Sequence, residues 1–310
     1  GLDAVGIDYA GNKDKPEGRC IWIDCSSAKG RKQFWKLIWA SRKEGITVFV
    51  HFAPPCGTAS AARNIRRFTY KGKPAKVDPK PLRSAKFPDG LPWLKQADKQ
   101  RVEAANTLYE FCASAAEILE EAGIMWLIEN PTNSLMWDTS AFQRLGRRKD
   151  QGVVPYSRLH MQMCMHGGRR DERTDLLAGS KVDFSSLAIM CDGSHEHLPW
   201  TYNRNEHGFA TAKERNYPRL FCQRIATLMA KHVGVEPPSR VPQKDKVAAG
   251  VQPRRLAPKV VQEYKQVLAL RYVTSEEMGP ISKAFERKVR QYIRGDHVPA
   301  DAKLLSVVPE

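Results

Sequence analysis

A cysteine behind two prolines and a glutamate ahead of one are the groups in this chain best suited to covalent chemistry. Val48-Phe49-Val50-His51-Phe52-Ala53 runs into Pro54-Pro55-Cys56-Gly57-Thr58, and Ile124-Met125-Trp126-Leu127-Ile128 runs into Glu129-Asn130-Pro131. Short apolar runs rich in Val, Ile and Phe predict strands buried on both faces, and proline ends each because it cannot donate to a ladder. In open α/β sheets ligands and catalytic groups collect at the carboxyl edge, which makes Cys56 a candidate nucleophile. Neighbouring strands would set Glu129 beside it. A thiolate with a carboxyl suits addition to an electron-poor ring: sulfur attacks one carbon while the acid hydrogen-bonds a ring nitrogen that gains electron density. A free thiol titrates near ~8.5, so such a site must raise the thiolate fraction or couple attack to protonation elsewhere on the ring. The competing readings are a small buried cysteine and an ordinary polar strand end.

Elements alternating between strand and helix must position these groups. Ala4-Val5-Gly6-Ile7-Asp8 and Ile21-Trp22-Ile23-Asp24 are strand-like, and Phe34, Trp35, Leu37 and Ile38 mark one face of the helix that follows. Val102, Ala105, Leu108, Cys112, Ala115 and Leu119 recur at helical spacing up to Gly123. Leu159 to Met163 and Asp175 to Ala178 predict two antiparallel strands around Gly167-Gly168, and a last core helix is expected from Ala212 to His232. This order predicts an α/β fold with a doubly wound, mostly parallel sheet over residues 1–234. Residues 235–310 turn to Pro, Lys, Arg and Gln, the chemistry of a basic linker and extension, with one short helical segment at 281–293. The chain opens at Gly1 and enters a strand almost at once, so its first structural element is expected to be missing.

Fifty Lys and Arg against 34 Asp and Glu give this 310-residue chain a net charge of +16, spread over several segments. A polyanionic partner follows, nucleic acid ahead of membrane, because no long apolar run or basic amphipathic anchor accompanies the charge. Arg63, Arg66, Arg67, Lys71, Lys73, Lys76, Lys80, Arg83 and Lys86 crowd the long loop after Cys56 together with Phe68 and Tyr70. That loop suits a lid over a nucleic-acid backbone, with an aromatic ring to fill the space left by an extruded base. Arg147, Arg148, Lys149, Arg254 and Arg255 offer further phosphate contacts. Seven irregularly spaced cysteines do not resemble a disulfide framework and fit a reducing compartment, cytosol or nucleus.

The ordered motifs resemble those of the DNA cytosine-C5 methyltransferase family over roughly Ala4 to Val233, and more loosely a methyltransferase-like domain of retroelements. Pro54-Pro55-Cys56 is similar to the family's nucleophile motif, and Glu129-Asn130-Pro131 to its acidic motif. The resemblance implies an S-adenosylmethionine-dependent methyltransferase fold whose first strand and Gly-rich cofactor loop would precede Gly1. It implies that Cys56 attacks C6 of cytosine in double-stranded DNA and that Glu129 contacts N3 and the exocyclic amine. It further implies that Asp8, Asp24 and Pro54 contact the cofactor, and that Arg170 and Arg173, in His166-Gly167-Gly168-Arg169-Arg170-Asp171-Glu172-Arg173-Thr174, serve the target base and its backbone. Tyr217-Pro218 and the helix after it are similar to a final motif that closes the cofactor pocket. A nuclear location goes with this reading. The chain departs from the family in lacking the Gly-rich first motif, in the spacing and the missing glutamine of the arginine segment, and in the short stretch, 179–212, where the family carries a large target-recognition domain. The alternative is a catalytically silent nucleic-acid-binding domain of a larger polyprotein.

That short stretch holds Cys191-Asp192-Gly193-Ser194-His195-Glu196-His197, preceded by Cys164 and His166. Cys164, Cys191, His195 and His197 are candidate ligands of one closed tetrahedral zinc site, although their spacing fits no standard finger. Solvent-exposed histidines on a loop are the competing reading.

Overall fold

The computed structural model describes residues 3–12, 18–64, 79–200, 202–203, 208–209 and 216–235. Arg66, Arg67, Phe68, Tyr70, Lys71, Lys73 and Lys76 of the expected lid lie outside the described residues, as do Arg254, Arg255 and the segment at 281–293. Strands β1 (Gly6–Asp8) and β2 (Cys20–Trp22) pair in parallel. A separate four-stranded sheet has the order β3-β4-β6-β5, from β3 (Phe49–Phe52), β4 (Met125–Pro131), β5 (Tyr156–Gln162) and β6 (Arg173–Gly179). Among the described residues four α-helices accompany them: α1 (Ala28–Lys43), α2 (Gln96–Glu121), α3 (Ser140–Asp150) and α4 (Arg219–His232). Strands β7 (Tyr202–Asn203) and β8 (Gly208–Phe209) form a small antiparallel pair.

The sheet is mixed, which corrects the expectation of a mostly parallel one. Only β3 and β4 run in parallel within it; β6 is antiparallel to both β4 and β5. The connection from β5 to β6, residues 163–172, is shorter than the crossover of about a dozen residues that parallel neighbours need, so the chain must turn back. Gly167, at φ 94, supplies the left-handed residue of that turn.

Alternation along the strands sorts side chains to two faces. Val50, Phe52, Trp126, Ile128 and Leu177 pack with Phe34 and Ile38 of α1, the buried face of α2, and Phe142 and Leu145 of α3. Phe49, Met125, Leu127, Leu176 and Ala178 pack on the other side with Phe221, Ile225 and Met229 of α4. Each large side chain buried this completely contributes about 1.5–3 kcal/mol, so the two apolar layers supply most of the driving force. Helix α4 starts at Arg219 because Pro218, at φ −59 and ψ 137, stands in extended backbone as its N-cap; residues 216–218 interrupt the helix expected from Ala212, and Ala212 itself lies outside the described residues.

Helix α1 joins the two sheets. Phe34 and Ile38 face the β3 side, while Leu37 and Ala40 cover Val5, Ile21 and Ile23 beside β1 and β2. Ser27 caps the helix by accepting a 2.9 Å hydrogen bond from the Gly30 amide, and Arg42 and Lys43 complement the dipole at its far end. The entry to α1 is tight. A Cβ on Gly30 would lie 1.8 Å from the Asp24 carbonyl oxygen. Gly30→Ala should therefore destabilise the protein by about 1–3 kcal/mol in urea unfolding, despite alanine's better helix propensity. An unchanged or higher midpoint would contradict this packing.

Candidate active site

The β3–β4 register sets the two motifs side by side as expected, but β4 does not stop at Ile128: Glu129, Asn130 and Pro131 continue it, paired with β6. Phe52 pairs with Ile128, so Pro54 and Asn130 follow side by side. Two prolines cannot continue the ladder, and side chains take over its role. Asn130, buried, donates from Nδ2 to the Pro54 carbonyl at 2.8 Å, and the Tyr109 hydroxyl of α2 donates to the Pro55 carbonyl at 2.7 Å. Cys56 then opens a short 3-10 turn, Cys56–Thr58, its carbonyl accepting from the amides of Ala59 and Ser60 at 2.9 and 2.8 Å.

Arg83, counted from sequence among the lid cations, is buried at 1% exposure and serves this turn instead. Its guanidinium donates to Thr58 Oγ1 at 3.0 Å, to the Pro88 carbonyl at 2.7 Å and to Asn106 Oδ1 at 2.7 Å, and it lies 5.2 Å from the Tyr109 ring centroid. Arg63 donates to the Gly57 carbonyl and, at 2.9 Å, to that of Lys80. It thereby ties the turn after Cys56 to Lys80. No spacing signal marks either arginine as a backbone clamp.

Glu129 points to the α4 face. The Tyr217 hydroxyl donates to Glu129 Oε2 at 2.7 Å and lies 3.5 Å from His51 Nε2, with the two rings stacked at 5.3 Å. Burial pushes the Glu129 carboxyl up to about 7, against the pull of the Tyr217 hydrogen bond toward the charged form. Burial drives His51 down to about 4, and burial together with Glu129 holds the Tyr217 phenol well above its ordinary value. Near neutral pH the histidine and tyrosine are uncharged, and the glutamate stands at its midpoint. Through-space effects of Cys222 and, more weakly, of Cys56 add to this opposition to ionisation of the phenol. The sequence placed Tyr217 in a cofactor motif and missed its contact with Glu129. Cys25 and Cys112 sit apart from this role: burial pushes Cys25 up to about 12 and Cys112 higher still.

The remaining candidates fall around this centre. Arg173 begins β6 in the exposed position opposite Gln162, and its carbonyl accepts from the Thr132 amide at 3.0 Å, just beyond Pro131. Arg170 is buried, donates to the Pro199 carbonyl at 2.6 Å and lies over the Trp200 ring, where it ties down the coil that follows β6. Asp175, fully buried and unnoticed in the sequence, accepts from Thr132 at 2.6 Å, from Arg158 at 2.6 Å and pairs with His160 at 2.8 Å. Asp8 and Asp24 sit at the carboxyl ends of β1 and β2, in turns of their own. Asp8 accepts from the Tyr9 amide and Asn12, and Asp24 Oδ1 from the amide and hydroxyl of Ser26. The candidate metal ligands Cys164, Cys191, His195 and His197 come together away from Glu129's neighbours, on the coil and turn beside β5; His166 is not among them, held by the Leu187 carbonyl and Arg224 at 3.0 and 3.1 Å. A cleft of about 830 Å³ lies on the helix face, lined by Arg31, Trp35, Asn106 and Glu110, and includes neither Cys56 nor Glu129. None of the seven cysteines forms a disulfide, and no helix among the described residues is long and apolar enough to cross a membrane.

The Glu129 environment has a pH signature. Its folded-state pKa lies above the unfolded value, so its contribution to stability is full below the unfolded pKa of about 4.3 and is lost as pH rises through about 7. In ¹³C-detected titration of labelled protein the Glu129 carboxyl should show a midpoint near 7. Tyr217→Phe removes a donor that favours the charged form and should move that midpoint upward; a midpoint in the ordinary glutamate range in both proteins would refute the desolvated site.

Compared with protein-family models, curated proteins and solved structures, the chain has no match among any of the three.

Proposed function

We propose that this chain is an S-adenosylmethionine-dependent DNA methyltransferase acting on cytosine C5 through a covalent Cys56 adduct. One observation carries the reading. A proline-bounded thiol and a carboxyl with a midpoint near 7 end adjacent parallel strands, and Asn130 of the acidic strand hydrogen-bonds the thiol's own loop. The ring chemistry follows from these groups. The Cys56 thiolate forms a bond to C6, and the C5–C6 electron pair moves into the ring. Glu129, half protonated near neutrality, hydrogen-bonds N3 and stabilises the charge arriving there. With cofactor bound, C5 would take a methyl group whose bond to the sulfonium breaks and leaves a neutral thioether; the C5 proton would then pass to a base and the C6–sulfur bond would break to restore the thiolate.

S-adenosylmethionine supplies an electrophilic methyl when bound. The chain's residues fit its adenosine half: Asp8 and Asp24 end neighbouring parallel strands, and Asp24 Oδ2 together with the second lone pairs of the Asp8 oxygens can accept hydroxyl and amine donors. Arg173, exposed beside the end of β4, is suited to the target nucleotide, and the net charge of +16 to the phosphates.

The test is incubation with cofactor and double-stranded DNA containing 5-fluorocytosine, using the protein with any residues that precede Gly1 in its natural chain. Fluorine at C5 cannot leave as a proton does, so the adduct persists. A covalent species on denaturing gels, abolished by Cys56→Ser while salt-sensitive DNA binding persists, is expected. Salt-sensitive binding without an adduct would overturn the enzyme reading in favour of a silent nucleic-acid-binding domain.

A further inference from the structure

Outside the candidate active site, two cysteines and two histidines converge where the chain has little else to hold it. Cys164 lies in the 3-10 turn Met163–His166 after β5, and Cys191, His195 and His197 lie in the coil 188–200, which contains no helix or strand. One ligand atom from each falls within 4.8 Å of the others. We propose that these four side chains bind one structural zinc ion, a site independent of the methylation reading.

The distances favour a metal over hydrogen bonding alone. Zn–S bonds of about 2.3 Å and Zn–N bonds of about 2.0–2.1 Å imply tetrahedral S···N edges of about 3.5–3.6 Å. Cys191 Sγ lies 3.7 Å from His195 Nε2 and 3.5 Å from His197 Nε2. Hydrogen bonding alone would need one ring to accept from the thiol and the other to donate to its weakly accepting sulfur, whereas a cation at the centre engages both nitrogens and both sulfurs. His195 Nδ1 is buried without a hydrogen-bond partner, so its ring has little else to fix its position. The Gly193 amide donates to Cys191 Sγ at 3.3 Å, and Gly193 reaches that position at φ 74. An amide aimed at sulfur stabilises a thiolate.

The donor set points to zinc, since two thiolates and two imidazoles in tetrahedral array suit it, and four protein ligands leave no open position for catalysis. The mechanical need is plain. The apolar contacts here are a satellite cluster of Cys164, Met165, Ile189 and Cys191, too small to order a coil. The coil's other ties include hydrogen bonds of Gln162 with Ile189 and Cys191, of Leu198 and Pro199 with Arg169 and Arg170, and of Trp200 with Asp171. A metal would fasten it to the β5–β6 connection that leads to Arg173.

The full chain, purified under reducing conditions and stripped with a chelator, is titrated with Zn²⁺ and with Co²⁺. Expected are one tightly held zinc per chain, a Co²⁺ spectrum with tetrahedral d–d bands and thiolate charge transfer, and a rise in Tm on adding zinc. Cys191→Ser and His197→Ala should each weaken binding at least tenfold, whereas Cys20→Ser, outside the cluster, should not. The wild-type Co²⁺ spectrum is read without any variant, so a misfolded substitution cannot mask the result. Stoichiometry near zero at excess zinc, a cobalt spectrum lacking thiolate bands, or binding unaffected by Cys191→Ser in a folded protein would overturn the site.

Discussion

The hydrogen bond from Asn130 Nδ2 to the Pro54 carbonyl is the constraint on which the candidate active site depends. A parallel ladder would ordinarily fix the spacing of neighbouring strand ends through backbone amides, but Pro54 and Pro55 have none to give. The ladder stops at Phe52 and Ile128, two residues short of the loop that carries Cys56. Asn130 restores the link with a side-chain amide in a buried setting, where an unmade hydrogen bond costs about 1–3 kcal/mol. Tyr109 repeats the device at the next carbonyl, and Arg83 anchors Thr58 beyond the turn. The prolines thus free the loop from the sheet, and three side chains return it to a defined place.

Much of this was legible in the sequence, and the parts that were not share a cause. Local signals sufficed for the apolar runs of β3 and β4, the spacing of α2 and the reversal at Gly167, because each depends on nearby residues. The neighbouring ends of Cys56 and Glu129 could be anticipated because consecutive crossover strands tend to pair. Tyr217 against Glu129 and Asp175 against Thr132, Arg158 and His160 could not, since each joins segments far apart in the chain with no pattern to announce it. The start of α4 after Pro218 was legible in principle, because proline bars a helical turn running through it and the helix's apolar positions, Leu220, Ile225, Leu228 and Met229, all follow it.

The arginines carry a related lesson about charge. A net charge of +16 reads as a surface built for a polyanion, yet several of the cations behind it face inward. Arg83 meets the carbonyls of Pro88 and Val102, Arg224 that of Met165, Arg170 that of Pro199, and Arg31 those of Cys25 and Ser26. Guanidinium is suited to this work because its planar fork offers several donors and stays charged. Loop carbonyls without a strand partner need donors, and a fold with long irregular connections uses arginine to supply them. Part of the positive balance therefore holds the fold together. The nucleic-acid inference rests on the exposed remainder, to which Arg173, at the start of β6 beside the end of β4, belongs.

The same economy of partners explains why Glu129 can titrate near neutrality. Its face of the sheet is packed by Phe49, Leu127, Leu176 and Phe221, so water that would stabilise a carboxylate is displaced. A nearby cation would hold the carboxyl charged at neutral pH and leave it a hydrogen-bond acceptor only. Among the described residues, the polar groups set against it are a tyrosine whose phenol resists ionisation and, behind that, a histidine held neutral by burial. A single neutral donor lowers the carboxyl's pKa without cancelling the effect of desolvation, and the balance falls near 7. An acid in that state can share a proton with a ring nitrogen in either direction as electron density shifts, which neither a fully ionised nor a permanently protonated carboxyl can do.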